Sequence, residues 1–208
     1  MNQAAARIRG LYVITPDWRD TLKLIMSSKA ALEGGAKVLQ YRNKVAAPSQ
    51  RIEHAIALAA LCQKFGATFI VNDHLDLALE VDADGVHLGG SDGELSAARK
   101  KLGAKKLLGA SCYNRLDLAQ AAKQAGADHI AFGSIYASAS KPAAVRAPLE
   151  LFAQARPLGL PMVAIGGITA ANAQPVIGAG ADALAVITDI FDAPDIAARA
   201  RQFGALFQ

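Results

Sequence analysis

Gln40, Arg42 and Lys44 alternate along the run Gln40-Tyr-Arg-Asn-Lys, so an amide, a guanidinium and an ammonium fall on one side of an extended chain. That set suits a phosphate or diphosphate, which Arg grips as a fork and Lys meets as a point charge. A solvated basic loop has the same composition. Asn72-Asp73 closes a second apolar run, and Asp92 follows His87-Leu-Gly-Gly-Ser. Each aspartate suits either a helix N-cap or a ligand of a hard cation; two carboxylates completed by substrate phosphates are what Mg2+ prefers. Ser111 has no strained glycine elbow around it and reads as a hydrogen-bond donor to a ligand, with Cys112 beside it as a small buried hydrophobe. His87 sits inside an apolar run and reads as a core histidine in preference to a catalytic base. His54, His74 and His129 show no partner pattern and receive no role.

Residues 137–147 carry neither helical nor strand periodicity. They are small and rich in hydroxyls, with Ser138 and Ser140 leading to Lys141, and they read as a ligand-binding lid or as a plain flexible loop. Gly166-Gly167-Ile-Thr and Ile187-Thr188 follow the last two apolar runs. Glycines let backbone N–H groups approach a phosphate, and loops after the seventh and eighth strands of barrels commonly hold one.

The elements that must position these residues follow from the pattern. Apolar runs at Leu11–Thr15, Lys37–Tyr41, Thr68–Val71, Gly85–Leu88, Lys106–Ser111, His129–Gly133, Pro161–Ile165 and Ala183–Ile187 are short and continuous, as in strands buried on both faces of a parallel sheet. Helical segments are predicted between them over Asp20–Glu33, Pro48–Phe65, Leu75–Glu80, Asp92–Leu102, Leu116–Ala125, Pro148–Arg156, Ala170–Ala179 and Asp195–Leu206. Three junctions nearly repeat: Gly34-Gly-Ala-Lys-Val-Leu, Ala125-Gly-Ala-Asp-His-Ile and Ala179-Gly-Ala-Asp-Ala-Leu. The alternation predicts an α/β protein built as a single (β/α)8 TIM barrel over residues 10–208 after an N-terminal extension at 1–9; an open doubly wound sheet is the alternative. In a barrel every candidate above lies at the C-terminal rim, where such enzymes keep their active sites.

Composition agrees. Of 208 residues, 52% are hydrophobic and 19% charged, which excludes a disordered chain. The net charge of +4 is mild, suits an anionic small ligand and does not argue for nucleic acid. Two cysteines, Cys62 and Cys112, make no disulfide framework and point to a reducing compartment. The N-terminus carries Arg7 and Arg9 without an apolar run, so no secretory signal is read there. The uncharged stretch Pro157 to Ala181 is broken by Pro161, Gly166, Gly167 and Pro175 and does not read as a membrane span. A cytoplasmic protein without membrane or nucleic-acid partners is expected, with homo-oligomerisation left open.

Taken together, the motifs resemble those of the thiamine-phosphate synthase family over nearly the whole chain. They are Leu11-Tyr-Val-Ile-Thr, Gln40-Tyr-Arg-Asn-Lys, Val71-Asn-Asp, Ala83-Asp-Gly-Val-His-Leu-Gly, Gly109-Ala-Ser, Gly133-Ser-Ile-Tyr followed by Lys141, and Ile165-Gly-Gly-Ile-Thr. The resemblance implies a transferase that joins an aminomethylpyrimidine diphosphate to a thiazole ethyl phosphate. Thiamine phosphate and pyrophosphate would form, with carbon dioxide when the thiazole is carboxylated. The family's reaction is dissociative: pyrophosphate leaves before the thiazole nitrogen captures the pyrimidinyl cation. Carried over motif by motif, Gln40, Arg42, Lys44, Asn72, Ser111 and Lys141 would hold the pyrimidine diphosphate, with Arg42, Lys44, Ser111 and Lys141 as the catalytic set. Asp73 and Asp92 would bind Mg2+. Ser138, Ser140, Gly167, Ile187 and Thr188 would bind the thiazole phosphate. The lid departs from the frequent Pro-Thr-x-Thr-Lys, reading Ala137-Ser-Ala-Ser-Lys, and Thr188 stands where the family usually has Ser. The closest rival is the thiazole tautomerase branch of the same superfamily, which needs neither metal nor diphosphate chemistry.

Overall fold

Short apolar strands alternate with amphipathic helices from Gly10 to Ala205 in the computed structural model, which describes residues 6–137 and 145–207. The strands are β1 (Gly10–Ile14), β2 (Val38–Tyr41), β3 (Thr68–Asn72), β4 (Gly85–Leu88), β5 (Leu107–Tyr113), β6 (His129–Phe132), β7 (Met162–Ile165) and β8 (Ala183–Val186). All pair in parallel with their sequence neighbours, and β8 pairs with β1, closing the barrel. The open sheet is thereby excluded.

Side-chain alternation sorts the core into two layers. Inward positions such as Tyr12, Ile14, Val38, Ile70, Leu107, Ala131, Val163 and Ala185 fill the barrel, and Ile8 joins them. Outward positions such as Val13, Leu39, Phe69, Val86, Leu108 and Phe132 pack against the helices.

The helices are α1 (Thr21–Glu33), α2 (Pro48–Phe65), α3 (Leu75–Glu80), α4 (Leu95–Leu102), α5 (Leu116–Gln124), α6 (Glu150–Ala155), α7 (Gln174–Gly178), α8 (Thr188–Phe191) and α9 (Ile196–Ala205). Asp20 caps α1 by accepting from the Lys23 N–H at 2.9 Å, and Asp195 caps α9 through Ala198 N–H at 2.8 Å. Pro48 opens α2 at a position where its missing N–H has no cost.

Two of the near-repeated junctions, with Asp84 before β4, have a structural purpose. Asp128 Oδ2 accepts from Leu108 N–H and Asp182 Oδ2 from Met162 N–H, each at 2.8 Å; Asp84 does the same for Phe69 N–H. Arg99, Arg156 and Arg7 pair with these three carboxylates. Each aspartate precedes an even-numbered strand and bonds to the odd-numbered strand before it, so at the N-terminal end of the barrel β3 is tied to β4, β5 to β6 and β7 to β8.

Three elements differ from the sequence reading. The helix expected from Asp92 begins at Leu95, because the Asp92 carboxylate turns back to the Gly89 N–H at 2.7 Å. The helix expected from Ala170 begins at Gln174. Asn172 instead holds the preceding loop, accepting from Thr169 N–H at 2.8 Å and donating to Gly167 O at 3.0 Å. Between β8 and α9 lies α8, four residues long and too short to register as a period. Among the described residues, no helix is long and apolar enough to cross a membrane.

Candidate active site

The rim is assembled from β1 outward. Thr15, wholly buried just past β1, donates its hydroxyl to Arg42 O at 2.8 Å and accepts from Arg42 N–H at 2.9 Å. The Asp17 carboxylate takes the Arg42 guanidinium at 2.8 Å and the Lys44 N–H at 2.7 Å. Asn43 donates to Trp18 O at 2.7 Å and accepts from the Val45 and Ala46 N–H groups. The run after β2 is therefore a pinned arm: Arg42 is partly exposed and Lys44 is exposed. Gln40 points inward and is buried, donating to the Tyr12 hydroxyl at 2.7 Å. Tyr41 points outward to His54 on α2, its hydroxyl 3.1 Å from Nδ1.

Across from this arm, Asn72 ends β3 and Asp73 follows it with φ 63°, its N–H bonded to His87 O at 2.9 Å. Neither carboxylate is a helix cap. The N-cap of α3 is His74 and that of α4 is Glu94, and Asp92 accepts from Gly89 N–H and from the Ser91 hydroxyl. Asp73 and Asp92 are close enough to act on each other's proton. Burial, then the hydrogen bond and charge of Asp92, push Asp73 up to about 6, against the pull of Lys44 and Arg42. Burial also presses on Asp92, but the Gly89 N–H, the bond from Asp73, Ser91 and the Lys44 charge outweigh it and hold Asp92 below the usual carboxylate range. Asp92 ionises first, and a second negative charge on Asp73 is resisted.

The pair fits a small dication. Two crowded carboxylates gain most from a positive ion between them. Among the described residues no group of three or more His, Cys, Asp and Glu side chains converges. A cation held by this pair would have two oxygen donors from the chain and would take its other ligands from phosphate and water, a division Mg2+ accepts.

Ser111, on β5 next to β4, is 2.9 Å from His87 Nε2. Sequence reasoning rightly left Cys112 as core: it is buried, and burial pushes its thiol up to about 12. On the far side of the rim, Gly166 and Gly167 take φ of 105° and 63°. A Cβ on Gly167 would meet Ala137 O at 2.1 Å, so a side chain there is excluded by space as well as by conformation. Ile187 and Thr188 open α8, which Asp189 ties to the glycine loop by accepting from Ala170 N–H at 3.0 Å. Ser138, Ser140 and Lys141 lie outside the described residues.

The structure thus brings Gln40, Arg42, Lys44, Asn72, Asp73, Asp92 and Ser111 to the β2–β5 arc, and Gly167, Ile187 and Thr188 to the β7–β8 arc. Sequence reasoning missed Asp17, whose role depends on the β1–β2 register, and His129, which meets His87 across Gly109.

Residues 11–190 match the family model described as thiamine monophosphate synthase. A thiamine-phosphate synthase from Methylobacillus flagellatus is 56% identical over 200 residues, covering 96% of both chains. One from Aromatoleum aromaticum is 54% identical, covering 97% of each. The solved thiamine phosphate pyrophosphorylase of Pyrococcus furiosus superposes with a TM-score of 0.86 at 33% identity, covering 99% of this chain and 97% of that one. The chain belongs to the thiamine monophosphate synthase family and is a transferase of thiamine biosynthesis.

Proposed function

We propose that the chain condenses 4-amino-2-methyl-5-(diphosphooxymethyl)pyrimidine with a thiazole ethyl phosphate, carboxylated or plain. The products are thiamine phosphate and pyrophosphate, with carbon dioxide from the carboxylated thiazole. The observation that carries this reading is the pinned Arg42–Lys44 arm standing opposite the crowded Asp73–Asp92 pair. Cations and a paired-carboxylate metal site on one arc suit a diphosphate, and a separate glycine-lined arc suits a monophosphate.

In this reading Gln40 and Asn72 hold the pyrimidine diphosphate at the barrel mouth. Arg42 presents its fork to the diphosphate, with Asp17 fixing the guanidinium; Lys44 and Lys141 add point charges, and Ser111 donates a hydrogen bond. Asp73 and Asp92 would hold Mg2+, which supplies charge neutralisation on the diphosphate oxygens. The bond from the pyrimidine methylene to the diphosphate oxygen breaks first, and Arg42, Lys44 and Ser111 would stabilise the negative charge that grows on the leaving group. Ser138, Ser140, the backbone at Gly167, and Ile187-Thr188 hold the thiazole phosphate so that its ring nitrogen faces the pyrimidinyl cation.

The test is incubation with both substrates and Mg2+. Thiamine phosphate and pyrophosphate should form in equal amounts, and neither should form with one substrate alone. Rapid isomerisation of the thiazole phosphate without the pyrimidine diphosphate would instead assign the tautomerase chemistry.

A further inference from the structure

Two side chains the chemistry above leaves unused, His87 and His129, form a line through the barrel that ends at Ser111. Ser111 Oγ is 2.9 Å from His87 Nε2, and His87 Nδ1 is 3.4 Å from His129 Nε2. The two rings stand 5.5 Å apart between centroids, and the Tyr12 ring lies 6.4 Å from that of His129. His129 is wholly buried, and its Nδ1 has no hydrogen-bond partner among the described residues. The line exists because β5 carries a glycine between the rings. A Cβ on Gly109 would lie 2.3 Å from the His129 ring and 2.4 Å from His87 Nδ1.

Both imidazoles are buried, lie against each other and are bonded to no carboxylate among the described residues, so both are neutral. Each neutral ring has one N–H, so the line has two polarities. In one, His129 donates Nε2–H to His87 Nδ1, and His87 donates Nε2–H to Ser111 Oγ. The buried His129 Nδ1 is then an unfilled acceptor, and the Ser111 hydroxyl hydrogen is released toward the rim. In the other, Ser111 gives its hydrogen inward, His87 donates Nδ1–H to His129, and His129 Nδ1–H becomes a buried donor with no acceptor. A buried orphan donor is the rarer arrangement. The second polarity also turns only Ser111 lone pairs toward an arc built for an anion, whose oxygens can only accept.

We propose that His129 and His87 form a tautomer-fixing relay that runs outward from the barrel core and commits the Ser111 hydroxyl to donate to an anion at the rim. His129 and His87 are positioning residues; Ser111 is the group that meets the ligand. The relay concerns the resting protein, and only its effect on turnover rests on the synthase reading.

The test has two arms. In the protein labelled with 15N-histidine, long-range 1H–15N spectra at neutral pH should show His87 and His129 both as Nε2–H tautomers. An Nδ1–H tautomer at His87 would overturn the proposal whatever the enzyme does. The second arm is a kinetic cycle. His129→Phe removes the inner donor, and kcat should fall about tenfold, the scale of one hydrogen bond in a transition state. His129→Gln, which keeps a donor, should recover much of that loss. In a Ser111→Ala background, His129→Phe should have no further effect on kcat. An equal loss in both backgrounds would make His129 a packing residue and end the relay. Should His129→Phe fail to fold, the spectra of the unaltered protein still decide. Should the unaltered protein make no thiamine phosphate, the synthase reading falls and the tautomer assignment stands or falls separately.

Discussion

Asp73 and Asp92 show how a charge that opposes stability can stand where a cation is proposed to bind. Neither caps a helix, so replacing either with Asn removes no helix-terminal bond. Their mutual repulsion is a cost of the resting fold: Asp73 is pushed up to about 6 by burial and by its neighbour. Asp73→Asn is therefore expected to melt at or above the temperature of the parent. The same change takes a full charge from a site proposed to hold a dication, where Coulomb energies reach several kcal/mol at an effective dielectric of ~20. Turnover should fall by two orders of magnitude or more, with partial recovery as Mg2+ is raised. Asp92→Asn should lose turnover equally, but it also loosens the Gly89 turn that its carboxylate accepts from. Melting curves beside Mg2+ titrations of activity separate these outcomes. An Asp73→Asn enzyme with normal turnover and unaltered Mg2+ dependence would remove the metal from this pair.

Among the elements, the aspartates that precede β4, β6 and β8 have a structural place distinct from that of the rim pair proposed to hold Mg2+. Asp128 accepts from Leu108 N–H and pairs with Arg99 at the end of the barrel opposite the site. Asp128→Ala would leave a buried strand N–H unbonded, a loss of about 1–3 kcal/mol. Urea unfolding should show that loss, while kcat measured well below the melting range stays as in the parent; a fall in kcat of similar size would mean that the lacing reaches the rim. The strands were legible because burial on both faces makes them continuous apolar runs, and their ends were read to within about two residues. The helices were less so wherever a polar side chain competed for the backbone, as Asn172 does before α7 and Asp92 does before α4. At the site, the strand-end residues were legible because a barrel collects whatever follows its strands. Asp17 and His129 were not, since one depends on how β1 pairs with β2 and the other on three adjacent strands and a missing Cβ at Gly109.

For the whole molecule, the buried histidines make stability depend on pH in a direction that the structure fixes. His129 lies in the barrel near Tyr12 and His87, and burial, then the His87 ring, holds it well below its ordinary value of 6.5. The unfolded chain binds a proton there as pH falls through about 6.5, and the folded protein does not. Stability from this group is thus fully present above that pH and is lost as pH falls. Asp73 acts oppositely: raised to about 6, it binds its proton earlier in the folded state than in the unfolded one and supports the fold as pH falls toward 4. Comparing the parent with His129→Phe cancels the Asp73 contribution and isolates the histidine. One fewer proton is then taken up on unfolding, so the parent's stability should fall with decreasing pH more steeply than the variant's, by about 1.4 kcal/mol per pH unit below 6. Urea titrations of both proteins at pH 7, about 6 and about 5 measure the two slopes. Parallel slopes would mean that the imidazole of His129 takes up its proton inside the folded barrel, and that the core around Gly109 is open to charge.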